Sequence, residues 1–180
     1  MRPRALAVAG SAVFFVLAPG VVAGLIPFLI TGWRFTTPFP YWGPLRVLGA
    51  TVTGVAALFL ISAFARFVIE GIGTPAPVAP TRNLVVGGVY RHVRNPMYIA
   101  VASAIVGQAM LFGRLSLLAW AALSGLAMVA FAHAVEEPML LDRFGEQYEE
   151  YRREVPAWWP RLRPWKESPS ARSRADELRR

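Results

Sequence analysis

The sequence contains no cysteine and carries very little negative charge over most of its length. The missing cysteines exclude disulfide bonds, cysteine metal sites and thiol chemistry. Of the 11 acidic residues, only Glu70 precedes residue 136. A charged side chain at the centre of a bilayer costs about 2.5–3.5 kcal/mol on insertion scales. The scarcity of carboxylates is therefore typical of segments that lie in hydrocarbon.

The composition is too apolar for an ordinary soluble domain. Hydrophobic residues make up 55% of the 180 residues, and the mean hydropathy is +0.42. The formal charge of +8 would by itself suggest a nucleic-acid partner, but the basic residues fall between apolar runs and in the tail. Anionic lipid headgroups are therefore the expected counter-charge, and we expect no nucleic-acid partner.

Four apolar runs predict four transmembrane helices, at residues 5–30, 44–69, 96–112 and 115–135. A span takes about 20 residues, and in lipid its backbone groups must be hydrogen-bonded internally, which favours helices. Only Gly113 and Arg114 separate the last two runs, so these helices are predicted to form a tight antiparallel hairpin. A cleaved signal peptide is the alternative for the first run, which is longer than a usual signal core.

Two segments outside the runs have their own patterns. Residues 71–90 are rich in proline and glycine, which predicts an extended or turned loop. A C-terminal amphipathic helix is predicted to lie on the membrane surface or pack over that loop. Its apolar stripe recurs at helical spacing: Leu140, Phe144, Tyr148, Tyr151 and Val155. The predicted fold is an all-α membrane domain over residues 1–165, with a polar tail at 166–180 that is expected to be disordered.

Polar residues that could carry chemistry fall in two clusters. The first is YRHVRNPMY at residues 90–98, where Asn95 is a natural N-cap and Pro96 a natural first helical residue. Free N–H groups in that turn could bind an anion, although arginines beside a span also act simply as anchors. The second cluster is Glu136 and Glu137, with His133 one turn earlier.

The predicted hairpin brings the two clusters to the same face. Two carboxylates and one histidine lack a further ligand set, so we expect no metal site. A solvated helix end is the simpler explanation of the second cluster alone. Taken together, the clusters would give a polar floor beneath apolar walls, which suits an enzyme that joins a water-soluble cofactor to a lipidic acceptor.

Residues 73–100 and 136–156 resemble the integral-membrane methyltransferases, meaning isoprenylcysteine carboxyl methyltransferase and its phospholipid N-methyltransferase relatives. The resemblance implies S-adenosylmethionine-dependent methyl transfer to a lipidic acceptor at the cytoplasmic face. It assigns these residues to the cofactor: Arg82, Asn83, Leu84, Val85, Tyr90, Asn95, Pro96, Met97, Tyr98, Glu136 and Glu137. Arg91 and Arg94 could hold the methionine carboxylate or an acceptor headgroup, and His133 could take a proton.

The sequence departs from that family pattern at three positions. Asn95 stands where the eukaryotic prenylcysteine enzymes have histidine, and Ala100 replaces the usual glycine. Ala132 replaces an arginine that those enzymes use for the substrate carboxylate. An unpaired buried carboxylate costs several kcal/mol, so Ala132 favours a neutral or amine-bearing lipid as the acceptor.

Two other functions remain open from the sequence. An NADPH-dependent membrane reductase of the sterol type would use Arg91 and Arg94 for the 2′-phosphate, but the Glu136–Glu137 pair fits that function less well. A non-catalytic scaffold or lipid-binding protein would use only the basic face and the amphipathic helix. Binding of S-adenosylhomocysteine or NADPH separates the three functions.

The arginine distribution predicts the topology. Lysine and arginine concentrate before the first run, between the second and third, and after the fourth, whereas the other side receives only Arg34, Arg46 and Arg114. Both termini should therefore lie in the cytoplasm, in what we expect is a bacterial inner membrane. Single cysteines at Thr37 and Ser170 should react with a membrane-impermeant label from opposite sides. Labelling of both from the outside would contradict this topology.

Overall fold

The computed structural model describes residues 18–66 and 83–166, and this part of the chain is helical, without a β-strand. A π-helical turn at Val21–Leu25 leads into the short helix α1. The other helices are long, and a 3₁₀ turn at Gly88–Arg91 precedes the third of them. The bounds are Ile26–Thr31 for α1, Gly43–Arg66 for α2, Pro96–Phe112 for α3, Ser116–Phe131 for α4 and Glu137–Glu154 for α5.

The core forms where α2 and α3 cross. A β-carbon built on Gly49 of α2 would lie 2.6 Å from the carbonyl oxygen of Gly107, and one built on Gly107 would lie 2.8 Å from the backbone nitrogen of Thr53. Two glycines thus let the two backbones approach closely, as small residues do between membrane helices. The buried cluster around this crossing also takes in α4: Leu60, Phe64, Ala100, Val101, Ile105, Ala109, Leu117 and Ala121.

Side chains at the start of α2 and just before it donate hydrogen bonds to carbonyl groups at the end of α3. The indole of Trp42 donates to the Met110 carbonyl at 2.7 Å, and Nε of Arg46 donates to the Leu111 carbonyl at 3.2 Å. The last carbonyls of a helix have no partner within the helix, and a positive charge there is favourable. These bonds fix the far end of α3, opposite the end that carries the predicted site.

Apolar side chains point outward from α2 and α4. Leu58 of α2 is 70% exposed and Leu126 of α4 is 71% exposed, which suits contact with lipid rather than water. Two helices, Gly43–Arg66 and Ser116–Glu154, are long and apolar enough to cross a membrane, whereas Val21–Thr31 and Pro96–Phe112 are shorter. Four spans ending in a hairpin therefore stay a prediction, and residues 5–17 of the first run lie outside the described part.

The fourth predicted helix does not end at the paired glutamates, although the sequence suggested that a new helix starts at Pro138. A π-helical turn at Ala132–Glu136 joins α4 to α5, so the helix that starts at Ser116 continues past the paired glutamates as far as a kink at Gly145. In that turn the N–H of Glu137 reaches back five residues to the Ala132 carbonyl. Pro138 follows and has no N–H to donate, so the wider turn accommodates the proline without ending the helix.

The amphipathic helix α5 packs over the loop, which is one of the two arrangements that the sequence left open. Tyr148, Tyr151 and Val155 are buried with Trp165, and Leu84 of the loop packs against them. Within α5 the helix is broken at Gly145, whose φ of 48° and ψ of −125° are far from helical values. Only glycine adopts such a backbone readily.

Candidate active site

The first contact in the predicted site joins α3 to the π-helical turn. The hydroxyl of Tyr98 donates a hydrogen bond of 2.7 Å to Oε1 of Glu136. Tyr98 lies in the first turn of α3, and Glu136 ends the π-helical turn. Two residues that the resemblance assigned to one ligand, 38 positions apart, are therefore in direct contact.

An aromatic residue that sequence reasoning missed lies against both of the clusters. The ring of Trp158 is stacked on that of Tyr98, with centroids 6.3 Å apart, and meets the imidazole of His133 edge-on at 6.4 Å. The available signal was the aromatic pair at residues 158 and 159, directly after the apolar stripe. Its position depends on a contact between distant parts of the chain, which no local pattern reveals.

Arg94 connects the loop before α3 with α5 and with the segment that follows it. Its Nη1 donates to Oε1 of Glu137 at 2.9 Å and to the Tyr148 hydroxyl at 3.0 Å, and its Nε donates to the Val155 carbonyl at 3.0 Å. The side chains of the ion pair are only 12% and 16% exposed. Burial raises the pKa of Tyr148 above its usual value, and the neighbouring Arg94 offsets only part of that increase.

The segment after α5 runs back along the loop and is bonded to it through the backbone. The N–H of Arg94 donates to the Pro156 carbonyl at 2.9 Å, and the N–H of Asn95 donates to the Ala157 carbonyl at 3.2 Å. Farther along, the N–H of Arg161 donates to the His92 carbonyl at 2.9 Å. The C-terminal segment thus forms one wall of the site.

Arg91 points toward the C-terminal end of that segment. Its Nε donates to the Trp165 carbonyl at 2.6 Å, and the N–H of Trp165 donates back to the Arg91 carbonyl at 2.9 Å. No hydrogen-bond acceptor among residues 18–66 and 83–166 contacts the two terminal nitrogens of Arg91. Arg91 can therefore still bind an anionic group, whereas Arg94 is already engaged on both sides.

The residues assigned to the cofactor from the loop lie beneath this wall. Val85 and Tyr90 are buried beside Ala63 of α2, and Leu84 packs under the aromatic cluster of α5. The carbonyl of Tyr90 accepts a hydrogen bond of 2.6 Å from the Tyr151 hydroxyl. Asn83 is the first described residue of this segment. Arg82, which the resemblance also assigned to the cofactor, lies outside the described residues.

The start of α3 has the geometry that the sequence predicted, apart from one bond. Asn95 is the N-cap and Pro96 the first helical residue, but the Asn95 side chain makes no capping hydrogen bond. Its side chain therefore stays available to a ligand. Met97 packs against both the membrane core and the cluster around Tyr90.

Two of the three residues that depart from the family pattern are buried in the protein. Ala132 is 1% exposed and Ala100 is 3% exposed. Ala100 belongs to the core cluster between α2, α3 and α4. His133, the next residue after Ala132, has a side chain that is 52% exposed, and its Nδ1 lies 3.4 Å from Oε2 of Glu137.

The two adjacent glutamates differ in their charge environment. Glu137 is paired with Arg94 and lies beside His133. Glu136 accepts only the neutral hydroxyl of Tyr98, and no lysine or arginine in the described part of the chain forms an ion pair with it. The cluster therefore has an uncompensated, half-buried carboxylate beside two aromatic rings, an arrangement that suits a hydroxyl-bearing or cationic ligand.

Comparison with known protein families shows to which family the chain belongs. The sequence model of the phospholipid methyltransferase family matches residues 44–147, more than half of the chain. The chain belongs to the phospholipid methyltransferase family. No curated protein matches the sequence.

The family match covers the elements that carry the site. Residues 44–147 include α2, the loop, α3, α4 and the first part of α5. The resemblance to membrane methyltransferases that the motifs indicated is therefore confirmed. Membership, together with the apolar helices, indicates a membrane-associated methyltransferase. The C-terminal wall with Trp158 lies beyond the matched residues.

The ion pair of this phospholipid methyltransferase family member should be important for its stability. Arg94→Gln leaves the Glu137 carboxylate buried without a cation and removes two further hydrogen bonds. We expect the free energy of unfolding to fall by about 3 kcal/mol, measured by thermal unfolding of the detergent-purified protein.

The matched control is the more exposed pair of Arg161 and Glu154, whose side chains are 31% and 59% exposed and whose closest nitrogen and oxygen lie 3.9 Å apart. Glu154→Gln should change the stability by less than about 1 kcal/mol, because exposed ion pairs contribute little. Equal effects of Arg94→Gln and Glu154→Gln would contradict the structural role given to Arg94.

Proposed function

We propose that this protein transfers a methyl group from S-adenosylmethionine to a lipid acceptor at the cytoplasmic face of the membrane. The observation that carries the proposal is the Tyr98–Glu136 contact. It joins the two segments that resemble membrane methyltransferases, and it lies within the family match. The arginine distribution of the sequence supports the cytoplasmic location.

The residues fit the proposed cofactor in their chemistry. Glu136 is a carboxylate with a fixed orientation and no ion-pair partner among the described residues, so it can accept hydrogen bonds from ribose hydroxyls or balance the positive sulfur. The side chain of Asn95, which makes no capping hydrogen bond, lies at the start of the same helix as Tyr98. The N–H groups of that first turn suit the carboxylate of the amino-acid part.

S-adenosylmethionine supplies a methyl group on a positively charged sulfur, and transfer forms a bond from an acceptor lone pair while the carbon–sulfur bond breaks. The protein's contribution is alignment and exclusion of water, because the reaction needs no strong acid. Tyr98 and Trp158 provide the apolar surfaces beside the reacting group. The Glu136 carboxyl group would lie near the positively charged sulfur and could interact with it.

His133 is the proposed proton acceptor for an amine-bearing lipid. An ammonium headgroup must lose a proton before its nitrogen can attack, and the half-exposed imidazole can accept it. Oε2 of Glu137 lies 3.4 Å from Nδ1 of His133 and orients the ring. Ala132 is buried and offers no cation for a carboxylate substrate, which supports an amine-bearing or neutral lipid.

The geometry also bears on the two arginines that were predicted to act in catalysis. Arg94 is bonded to Glu137, Tyr148 and the Val155 carbonyl, so we propose that it positions Glu137 rather than contacting the ligand. Arg91 keeps its terminal nitrogens for a carboxylate or a lipid phosphate. A reductase could use Arg91 and Arg94 to bind the 2′-phosphate, and the engagement of Arg94 disfavours that function.

Ligand binding tests the proposal. S-adenosylhomocysteine should bind the detergent-purified protein with a dissociation constant in the micromolar range, about −8 kcal/mol. Glu136→Gln should weaken binding about tenfold or more, because a hydrogen bond to a charged group contributes about 1.5–3 kcal/mol. Isothermal titration calorimetry gives both values.

Glu149→Gln is the matched control, since Glu149 is exposed on α5, and it should bind like the wild type. Tyr98→Phe should weaken binding less than Glu136→Gln, because the carboxylate remains. Tighter binding of NADPH than of S-adenosylhomocysteine would favour the reductase. An unchanged affinity in Glu136→Gln would remove Glu136 from the site.

A further inference from the structure

The C-terminal wall of the site has a second, outward face that the proposed chemistry does not use. Trp159 is 82% exposed and Leu162 is 97% exposed, the most exposed large apolar side chains of this segment. Trp158, next in sequence to Trp159, instead packs against Tyr98 and His133. Trp158 therefore contacts the candidate site, whereas the side chain of Trp159 is exposed on the outer face.

This outward face belongs to a well-anchored segment. The backbones of Arg161 and Trp165 are hydrogen-bonded to the loop at His92 and Arg91. Nδ1 of His92 also lies 2.8 Å from the Arg161 carbonyl. Because Trp165 is buried at 6% exposure, the segment cannot turn its apolar residues inward without breaking these contacts.

Basic side chains flank the exposed apolar pair. Arg163 and Lys166 are exposed, and neither forms an ion pair within residues 18–66 and 83–166. Arg161 differs, since its Nη1 donates to the Glu154 carbonyl at 2.7 Å. Two exposed cations beside a tryptophan and a leucine match the surface of a lipid bilayer, which has anionic headgroups over an apolar interior.

The position of the segment supports a membrane surface as its partner. The N–H of Asn95, the N-cap of α3, is bonded to the Ala157 carbonyl. The segment therefore runs at the level of the first turn of an apolar helix, where a bilayer would change from hydrocarbon to headgroups. Tryptophan concentrates at that depth, and lysine and arginine bind the anionic lipids there.

We propose that residues 159–166 form an anionic-lipid anchor, with Trp159 and Leu162 inserted into the headgroup region and Arg163 and Lys166 bound to lipid phosphates. The anchor holds the site-bearing wall against the leaflet from which a lipid acceptor would enter. The proposed anchor does not depend on the identity of the cofactor or of the acceptor.

The absence of cysteine makes the proposal directly testable by spin labelling. Single cysteines would replace Trp159 and Leu162, with Leu58→Cys as the lipid-facing control and Arg152→Cys as the exposed control on α5. Each labelled full-length protein would be reconstituted into phosphatidylcholine vesicles with and without phosphatidylglycerol. Accessibility to oxygen, compared with accessibility to a water-soluble nickel chelate, reports depth in the bilayer.

We expect labels at 159 and 162 to be more accessible to oxygen than to nickel, as at Leu58 but at a shallower depth. In vesicles with phosphatidylglycerol, Arg163→Glu combined with Lys166→Glu should shift these labels toward the aqueous pattern. Nickel accessibility equal to that at Arg152 would overturn the proposal. Exclusion of both reagents would overturn it in favour of a protein partner or a second copy, and equal depths with and without phosphatidylglycerol would overturn the anionic preference.

Discussion

The guanidinium group of Arg94 joins the loop before α3 to three points along α5 and its C-cap, which lie 43 to 61 residues later in the sequence. It joins the loop before α3 to Glu137, to Tyr148 and to the end of α5 at Val155. The group is mostly buried, so each bond is stronger than at a water-exposed site. Without this interaction the Val155 carbonyl would lose its side-chain bond to the loop, and Glu137 would be a buried charge without an arginine partner, although the backbone bonds of the C-terminal segment would remain.

The same interaction gives the two neighbouring glutamates different roles. Arg94 neutralises Glu137, which leaves Glu136 as the uncompensated charge of the cluster. The two side chains have different partners, and Glu136 ends a π-helical turn, a type of turn that is frequent at functional sites. A paired sequence motif thus supplies one structural carboxylate and one that is available to a ligand.

Local patterns predicted the all-helical fold and several of its individual helices. The bounds of α3 follow from its N-cap, its proline and its apolar run, and the apolar stripe of α5 does face the protein. The continuity of α4 and α5 was not predictable in the same way, because Pro138 suggested a helix start and a π-helical turn has no sequence signature. The break at Gly145 and the place of Trp158 depend on how distant segments pack, which helical periodicity does not encode.

Methyl transfer in reconstituted vesicles tests the central claim most directly. The protein would be supplied with S-adenosylmethionine labelled in its methyl group, in vesicles that contain phosphatidylethanolamine or a farnesylcysteine analogue. We predict a labelled lipid from the amine-bearing vesicles and a loss of about tenfold or more in Glu136→Gln, in line with a lost bond to a charged group. Absence of labelled lipid, or full activity of Glu136→Gln, would contradict the account, and turnover of the farnesylcysteine analogue alone would contradict the amine acceptor.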